Sequence, residues 1–156
     1  MKYLLIKFRV YFLNIRNLIR QRYYTFILSC PKSVTFLGRI IFFNPKKISI
    51  GAGVRFNEGV FLNIGKSLII EDNVTISANV FITDTTSDIE LLPNHVHLRY
   101  PILIKKNVWI GAGVIILPGV VIGEGSVIAA GSVLSQSTGD NEVWAGNPAR
   151  KARNLK

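Results

Sequence analysis

The residues best suited to acid–base chemistry lie together in one polar segment, residues 83–101. This segment contains both histidines of the chain, His95 and His97, and the carboxylates Asp84 and Asp88. Imidazole changes its charge near neutral pH, which suits it to accept a proton from a bound substrate. We therefore expect His95 or His97 to act as a general base, oriented by Asp84 or Asp88. The alternative is a solvated polar loop, in which either histidine only forms hydrogen bonds.

The spacing of the two histidines also raises the question of a metal site. They form an H-x-H pair, but the chain has no third histidine, and Cys30 is its one cysteine. A zinc site in a protein usually takes three or four His, Cys or carboxylate ligands, so we expect no metal. A lone cysteine also excludes an intramolecular disulfide, which fits a reducing cytoplasm.

A repeat of six residues organises the rest of the chain and must position this polar segment. Ile or Leu recurs without a break at Ile104, Ile110, Ile116, Ile122, Ile128 and Leu134. The same spacing occurs earlier, with one slip of two residues, at Ile50, Phe56, Leu62, Ile70, Ile76 and Ile82. Neither an ordinary helix nor an ordinary strand has this period. It is typical of a parallel β-helix, whose short units bury their apolar faces by stacking.

The repeat is interrupted once, between Ile82 and Ile104. These residues are 22 positions apart, which leaves about sixteen residues beyond one hexapeptide. We therefore predict an external loop that leaves the coil at this point. Long loops on rigid scaffolds often carry function, because the scaffold fixes their ends.

The first part of the chain is strongly basic. Residues 1–57 contain eleven Lys or Arg and no acidic residue, and the whole chain has a net charge of +10. Within residues 1–30, apolar residues alternate with basic ones at helical spacing, which predicts an amphipathic helix before a β-helix domain at 31–156. This helix either lies on an anionic membrane or caps the open end of the solenoid. Its apolar stretches are too short for a membrane span or a signal peptide, and no nucleic-acid module is visible.

Three segments carry a resemblance to a known family: IGAGVI (110–115), PGVVIGEGSVIAAGSVL (118–134) and VWAGNPAR (143–150). They resemble the hexapeptide-repeat acyltransferases, and the resemblance extends from about Ile48 to the C-terminus. It implies an all-β, left-handed parallel β-helix of four to five triangular coils. It also implies a homotrimer that uses acetyl-CoA or a related thioester, with its active sites between subunits.

The resemblance also assigns a thioester site. The turn at Gly111 and Ala112 would direct an amide N–H at the thioester oxygen, where negative charge develops during attack. Small residues would line the pantetheine groove, namely Ala130, Gly131 and Ser135. Ordinary turn formation explains a glycine at 131 equally well.

The C-terminal tail is the third part of the implied cofactor site. Arg150 and Lys151 would pair with the phosphates of CoA through charge-assisted hydrogen bonds. The alternative is a solvated basic tail. Gln136 stands where the family often has a lysine beside the groove, so one phosphate contact is missing.

One departure from the family concerns the general base. Sugar O-acetyltransferases, which the chain resembles most, usually have a histidine after Ile-Thr-Asp, whereas this chain has Thr85 after Asp84. Three hypotheses follow: a loop histidine replaces the missing one, the acceptor is an amino sugar, or the trimer is an inactive scaffold. We favour direct acetylation of a sugar in bacterial surface-polysaccharide synthesis (O-antigen, capsule or lipopolysaccharide). The enzyme would be cytoplasmic, with peripheral contact to the anionic inner membrane.

Overall fold

The computed structural model describes residues 2–88 and 96–155, with side chains for Tyr11 and from residue 13 onward within those ranges. An α-helix, α1, spans Lys2–Ile27, and a short 3-10 helix spans Pro45–Lys47. The strands, in chain order, are β1 Thr35–Phe36, β2 Ile41–Phe43, β3 Ile48–Ile50, β4 Arg55–Phe56, β5 Phe61–Asn63, β6 Leu68–Ile70, β7 Thr75–Ile76, β8 Phe81–Thr83, β9 Thr85–Ser87, β10 His97–Arg99, β11 Ile102–Ile104, β12 Trp109–Ile110, β13 Ile115–Ile116, β14 Val121–Ile122, β15 Val127–Ile128, β16 Val133–Leu134, β17 Glu142–Gly146 and β18 Ala149–Asn154.

The chain winds around a three-sided prism, and each side is a parallel sheet. Face 1 contains β1, β4, β7, β12, β15 and β17, with β18 added antiparallel at its end. Face 2 contains β2, β5, β8, β13 and β16, and face 3 contains β3, β6, β11 and β14. We call the turns between faces 1 and 2 the first corner, those between faces 2 and 3 the second corner, and those between faces 3 and 1 the third corner. About five coils stack in this way, which confirms the predicted parallel β-helix.

The slip of two residues in the repeat has a structural cause. Arg55 pairs with Thr75 in the lower part of the solenoid, so a coil there contains 20 residues. Trp109 pairs with Val127 in the upper part, where a coil contains 18. The two additional residues lie at the second corner, where the fully buried Ile64 fills the larger turn.

The repeat positions form the core. Every strand from β3 to β16 that belongs to the three faces turns a side chain of the sixfold series inward, and those at residues 56–134 are at most 1% exposed. Valines four residues further on fill the corners, at Val54, Val60, Val74, Val80, Val108, Val114 and Val120. Each such side chain stabilises the fold by about 1.5–3 kcal/mol on burial. No coil can bury these side chains alone, because each one packs on the coils above and below it.

The last turns of α1 pack on the open end of the first coil. The Tyr24 hydroxyl donates to the Ile40 carbonyl at 3.1 Å and accepts the Ile40 amide at 3.2 Å. The Gln21 side chain bridges the Val34 carbonyl and the Phe36 amide. These contacts satisfy backbone groups that have no coil below them. This part of the helix therefore covers the core, as the capping alternative expects.

The predicted external loop leaves the solenoid between β8 and β11. Its base is an antiparallel hairpin, in which Ser87 pairs with His97 and Thr85 pairs with Arg99. The Tyr100 amide donates to the Asp84 carbonyl at 2.8 Å and closes the hairpin where it rejoins the coil. The interruption in the repeat was thus predicted correctly.

Candidate active site

Two stacked turns at the first corner carry small residues and open backbone. They are Gly111–Ala112–Gly113 and, one coil higher, Ala129–Ala130–Gly131. Gly113 and Gly131 have positive φ angles of 66° and 70°, and a Cβ atom added at either would meet no atom within 4 Å. Within the described part of the chain, no acceptor lies within hydrogen-bond distance of the Ala112 or Ala130 amide. The two turns therefore form a shallow, side-chain-free surface with amide donors directed outward.

Other corners with similar turns are closed by a carboxylate from the next coil. At the third corner, Asp72 accepts the Ala52 amide at 2.6 Å, and the Asn73 side chain covers Gly53. Three coils higher at the same corner, Asp140 accepts the Glu124 amide at 2.8 Å. The turn Gly51–Ala52–Gly53 has the same sequence as Gly111–Ala112–Gly113, so the difference comes from the residues stacked above it, Asp72 and Asn73 in one case and Ala130 and Gly131 in the other.

Capping of this kind occupies most of the acidic residues of the chain. Of the eight carboxylates in the described residues, six accept a turn amide: Glu58, Glu71, Asp72, Asp84, Asp140 and Glu142. The Lys105 ammonium and the Glu124 amide hold the pKa of Asp140 below its ordinary value, which keeps this cap ionised. The open turns at residues 111–113 and 129–131 lack such a cap, as does the turn at Ala78 one coil below, whose amide also has no acceptor among the described residues. The two upper turns differ from the turn at Ala78 in that each has a glycine that no side chain covers.

The C-terminal hairpin lies above the open turns. The Gly146 amide at the end of β17 donates to the Ser132 hydroxyl at 3.1 Å, which places the β17–β18 connection over the first corner. Arg150 is exposed on β18, and its guanidinium donates to the Ala149 carbonyl at 3.0 Å. Lys151 instead pairs with Glu142 across the hairpin. Arg150 and Lys151 are the two predicted phosphate contacts. Arg150 is exposed and has no carboxylate partner among the described residues, so its guanidinium is the better placed of the two to bind a phosphate.

Glu142 is the electrostatic centre of this hairpin. The Lys151 ammonium, the Trp144 indole N–H and the Gly139 amide all donate to its carboxylate and lower its pKa to about 2. Because the folded pKa lies below the ordinary value of 4.5, the charged form stabilises the fold. This stabilisation is present above about pH 4.5 and is lost as the pH falls toward about 2.

The lowered pKa of Glu142 predicts how the stability of the Glu142→Gln variant depends on pH. Near neutral pH the wild type should unfold at higher urea than the variant, because only the wild type has the ionised carboxylate. The difference should shrink steadily between pH 4.5 and 2. Urea midpoints measured for both proteins across this range test it, and a difference that grows on acidification would contradict the assignment.

The second corner is held by Asp84. Its side chain is fully buried, and its carboxylate accepts the amides of three consecutive residues, Gly65, Lys66 and Ser67, at 2.6–3.0 Å. The Thr85 hydroxyl donates to the same carboxylate at 2.9 Å. Four hydrogen bonds fill the acceptor sites of a carboxylate. Asp84 therefore anchors the start of the loop to the coil below, and an orienting contact with a histidine stays a prediction.

Removing this anchor should destabilise the fold strongly. The Asp84→Ala variant leaves three turn amides, on half-buried or exposed residues, without their acceptor, and each hydrogen bond to a charged group contributes about 1.5–3 kcal/mol. We expect a loss of about 3 kcal/mol or more in the free energy of unfolding. Asp72→Ala is the matched control, because it removes a cap from one exposed amide and should cost only about 1 kcal/mol. Equal losses in urea unfolding would contradict the anchoring role.

His97 lies on the hairpin at the base of the loop. His97 is exposed at the start of β10, opposite Ser87. The Asp88 amide donates to the Val96 carbonyl at 3.0 Å, so Asp88 flanks His97 across the hairpin. His95, the other predicted base, lies outside the described residues. The structure therefore brings His97 and Asp88 to one end of the hairpin and gives the His97 backbone a defined position.

The predicted site residues fall into two groups on one chain. Ala112, Ala130 and Gly131 lie at the first corner, whereas Ser135 is exposed at the opposite edge of face 2, on the side of the second corner. The end of the corner turn at Gly131 and the strand β16 lie between Ala130 and Ser135, so the two residues are on opposite edges of face 2. The loop leaves from this second edge as well. One chain thus presents the open turns on one edge of face 2 and the loop on the other.

No metal cluster is found among residues 2–88 and 96–155, since no three His, Cys, Asp or Glu side chains there lie close enough to share an ion. Trp109 is exposed on face 1 immediately before the lower open turn, and its indole N–H donates to the Ser77 hydroxyl at 3.2 Å. The site is therefore built from backbone amides, small residues and a loop histidine.

Comparison with known proteins identifies the family. Residues 101–136 match the family model described as bacterial transferase hexapeptide (six repeats), and residues 47–84 match the hexapeptide repeat of succinyl-transferase. A protein of Dictyostelium discoideum, provisionally classed as an acetyltransferase, is 37% identical over 76% of this chain and 67% of its own length. The galactoside O-acetyltransferase of Escherichia coli is 36% identical over 71% of this chain, which spans 59% of that relative.

A solved structure agrees with these relatives. The hexapeptide-repeat acetyltransferase of Vibrio cholerae O1 biovar eltor, complexed with acetyl coenzyme A, superimposes with a TM-score of 0.73. The two chains are 31% identical, and the match covers 78% of this chain and 71% of the other. Two of the segments that first indicated the resemblance, residues 110–115 and 118–134, lie within the region matched by the first family model. The chain belongs to the hexapeptide-repeat acetyltransferases.

Proposed function

We propose that the protein transfers an acetyl group from acetyl-CoA to a hydroxyl group of a sugar. The observation that carries this proposal is the pair of uncapped turns at Ala112 and Ala130. Their amides are free to bind a carbonyl oxygen, and the missing side chains leave room for an extended pantetheine arm. The similarity to a galactoside O-acetyltransferase supports a sugar as the acceptor.

Transfer is direct, within a complex of both substrates. The hydroxyl oxygen of the sugar attacks the thioester carbon, and the negative charge that develops on the carbonyl oxygen is stabilised by the Ala112 amide. His97 takes the hydroxyl proton as the new C–O bond forms. The C–S bond then breaks, and the proton passes to the sulfur to give free CoA and the acetyl ester. Asp84 acts through the loop, as a positioning residue that fixes the first residue of the hairpin.

The two groups of site residues come together between copies of the chain in a trimer. Face 2 carries an outward apolar row of Ile41, Phe61, Phe81, Ile115 and Val133, in register from β2 to β16. Face 3 also has an apolar row, but a shorter one. We place face 2 at the threefold axis because its two edges carry the open turns and the loop. In a threefold ring with face 2 turned inward, the first edge of one copy meets the second edge of the next. This arrangement brings His97 and Ser135 of one copy to the open turns of its neighbour.

A mixing experiment tests this shared site. The Ala130→Asp variant lacks a working thioester turn and the His97→Ala variant lacks the base, so each alone should be nearly inactive. In randomly mixed trimers, about one site in four combines an intact turn with an intact histidine from the neighbour. Co-expressed variants should therefore recover about a quarter of wild-type turnover. A mixture no more active than its two components would show that each site lies within one chain.

We place this activity in the synthesis of a bacterial surface polysaccharide, in the cytoplasm where acetyl-CoA is made. The basic N-terminal segment supports an acceptor that is anionic or held at a membrane surface. An amino-sugar acceptor is the second candidate. An uncharged amine attacks a thioester with little help from a base, and Thr85 replaces the histidine usual in O-acetyltransferases.

Release of free CoA from acetyl-CoA by the purified protein tests the proposal. Neutral, acidic and amino sugars are compared as acceptors at equal concentration, with a no-acceptor control for hydrolysis. Turnover that depends on a hydroxyl sugar supports O-acetylation, and turnover with amino sugars alone would replace it by N-acetylation. Absence of turnover with every sugar, together with absence of acetyl-CoA binding, would leave a scaffold trimer.

A further inference from the structure

One face of α1 is apolar and turned away from the solenoid. Ile15, Ile19, Tyr23 and Phe26 follow one another at helical spacing, and Phe26 is 81% exposed. The first coil is contacted from another side of the helix by Gln21 and Tyr24, and by the Arg20 guanidinium, which donates to the Leu37 carbonyl at 3.3 Å. The cap therefore leaves a continuous apolar strip in solvent, where monomeric proteins rarely keep one.

Arginines border this strip and line a cavity beside it. Arg16 and Arg20 line both the shallow groove over Ile19 and Tyr23 and a neighbouring cavity of about 370 Å³. Arg39 from the first corner also lines that cavity, with Glu58 as its one acidic residue. The Arg20 Nε atom is buried and has no acceptor among the described residues, whereas its Nη2 atom donates to the Asn17 side chain and the Leu37 carbonyl. The cavity thus offers guanidinium donors directly beside apolar surface.

The charge distribution indicates what kind of partner binds the apolar strip and the cavity beside it. The first acidic residue of the chain is Glu58, so α1 and the first coil carry eleven cations and no anion before it. A protein partner with a purely apolar surface would gain nothing from this charge. A bilayer of anionic phospholipid matches both features, because its headgroup phosphates meet the arginines and its acyl boundary meets the apolar strip. No described helix is long and apolar enough to span a membrane, which fits a helix that lies in the interface.

We propose that α1 docks the protein on an anionic phospholipid bilayer. Ile15, Ile19, Tyr23 and Phe26 enter the interface, and Arg16, Arg20 and Arg39 contact lipid phosphates. The geometry of attachment rests on the trimer of the proposed function. A threefold ring of parallel solenoids presents all three α1 caps at one end, so the three helices bind one flat surface together.

Co-sedimentation with lipid vesicles tests the proposal on the full chain. Vesicles of phosphatidylcholine alone are compared with vesicles that contain about one third phosphatidylglycerol. The wild type should bind the anionic vesicles and not the neutral ones, and added salt should weaken binding. The double variant Ile19→Ser, Phe26→Ser should bind about ten-fold more weakly or worse, and Arg16→Gln about five-fold more weakly.

Matched controls separate docking from misfolding. Ile69→Ser removes an apolar side chain that is 43% exposed on face 3, and Lys106→Gln removes a distant cation, so both should bind as the wild type does. The double variant should keep the molecular mass of the wild-type assembly in light scattering and its turnover with a soluble acceptor. Three results would overturn docking: no binding of anionic vesicles, a double variant that binds normally, or a double variant that loses the oligomer. The last would show that a second copy covers the strip. Turnover with a soluble sugar does not depend on membrane binding. If the docking proposal fails, the acetyltransferase proposal is therefore unaffected.

Discussion

Replacing Ala130 by aspartate should lower the rate of acetyl transfer by about 100-fold to 1,000-fold without destabilising the fold. Ala130 is stacked on Ala112 as Asp72 is stacked on Ala52, where the carboxylate accepts the amide below it at 2.6 Å. An aspartate at 130 would accept a hydrogen bond from the Ala112 amide in the same way, so this amide could no longer bind the thioester. It would also place a negative charge where the thioester oxygen becomes negative during attack. The loss should appear in both turnover and acetyl-CoA binding.

The experiment compares steady-state rates and urea unfolding for Ala130→Asp and for the matched variant Ala78→Asp. Ala78 occupies the equivalent position one coil below Ala112 at the same corner. An aspartate there adds the same charge to the same edge but caps a turn outside the proposed thioester site. Ala78→Asp should therefore retain most of the wild-type rate. Equal losses in the two variants would assign the effect to charge rather than to the Ala112 amide.

The His97→Ala variant should lose about 100-fold or more of its turnover with a hydroxyl acceptor, the range expected when a general base is removed. His97 is the stronger prediction of the two histidines, because the hairpin pairing with Ser87 fixes its backbone. His95→Ala is the matched control, since it removes the same group two residues away and should change turnover far less.

The acceptor decides how this result is interpreted. With an amine that is neutral at the assay pH, His97→Ala should be nearly as active as the wild type, because no proton needs to leave before attack. A His97→Ala variant within a few-fold of wild type on a hydroxyl acceptor would contradict the assigned base. If His95→Ala shows the large loss instead, the base is the other histidine of the same loop.

The sixfold repeat predicted the solenoid because its core is periodic, and periodic burial is visible in any single sequence. Residues such as Ile110 and Ile116 occupy equivalent places on successive faces. The slip of two residues between Leu62 and Ile70 was visible as well, but its structural cause was not. The additional residues enlarge the second corner, which is an adjustment of packing around Ile64 rather than a change of period.

The site was predicted less completely, because its open turns are defined by contacts between coils. Gly51–Ala52–Gly53 and Gly111–Ala112–Gly113 have the same sequence, and the residues stacked above them, such as Asp72 or Ala130, make one closed and the other open. Alignment of the coils by corner would have found this signal. The buried role of Asp84 had no such signal, since one carboxylate that caps three amides looks in sequence like a loop acid.

The separation of the site residues on two edges was also invisible in the sequence. Ser135 follows Ala130 closely along the chain, which suggested one continuous groove. The strand β16 lies between them, and a strand of this solenoid crosses a whole face. In the proposed trimer, a second copy of the chain would return Ser135 to the groove.

The structure of the trimer with acetyl-CoA bound is the most direct test of the central claim. The claim is that the uncapped amide of Ala112 binds the thioester. The account predicts the thioester oxygen at about 2.7–3.1 Å from the Ala112 amide nitrogen, with the pantetheine arm over Gly113 and Gly131 and His97 of a neighbouring copy facing the thioester carbon. An acetyl-CoA molecule bound at the second or third corner, or a thioester that the Ala112 amide does not reach, would contradict it.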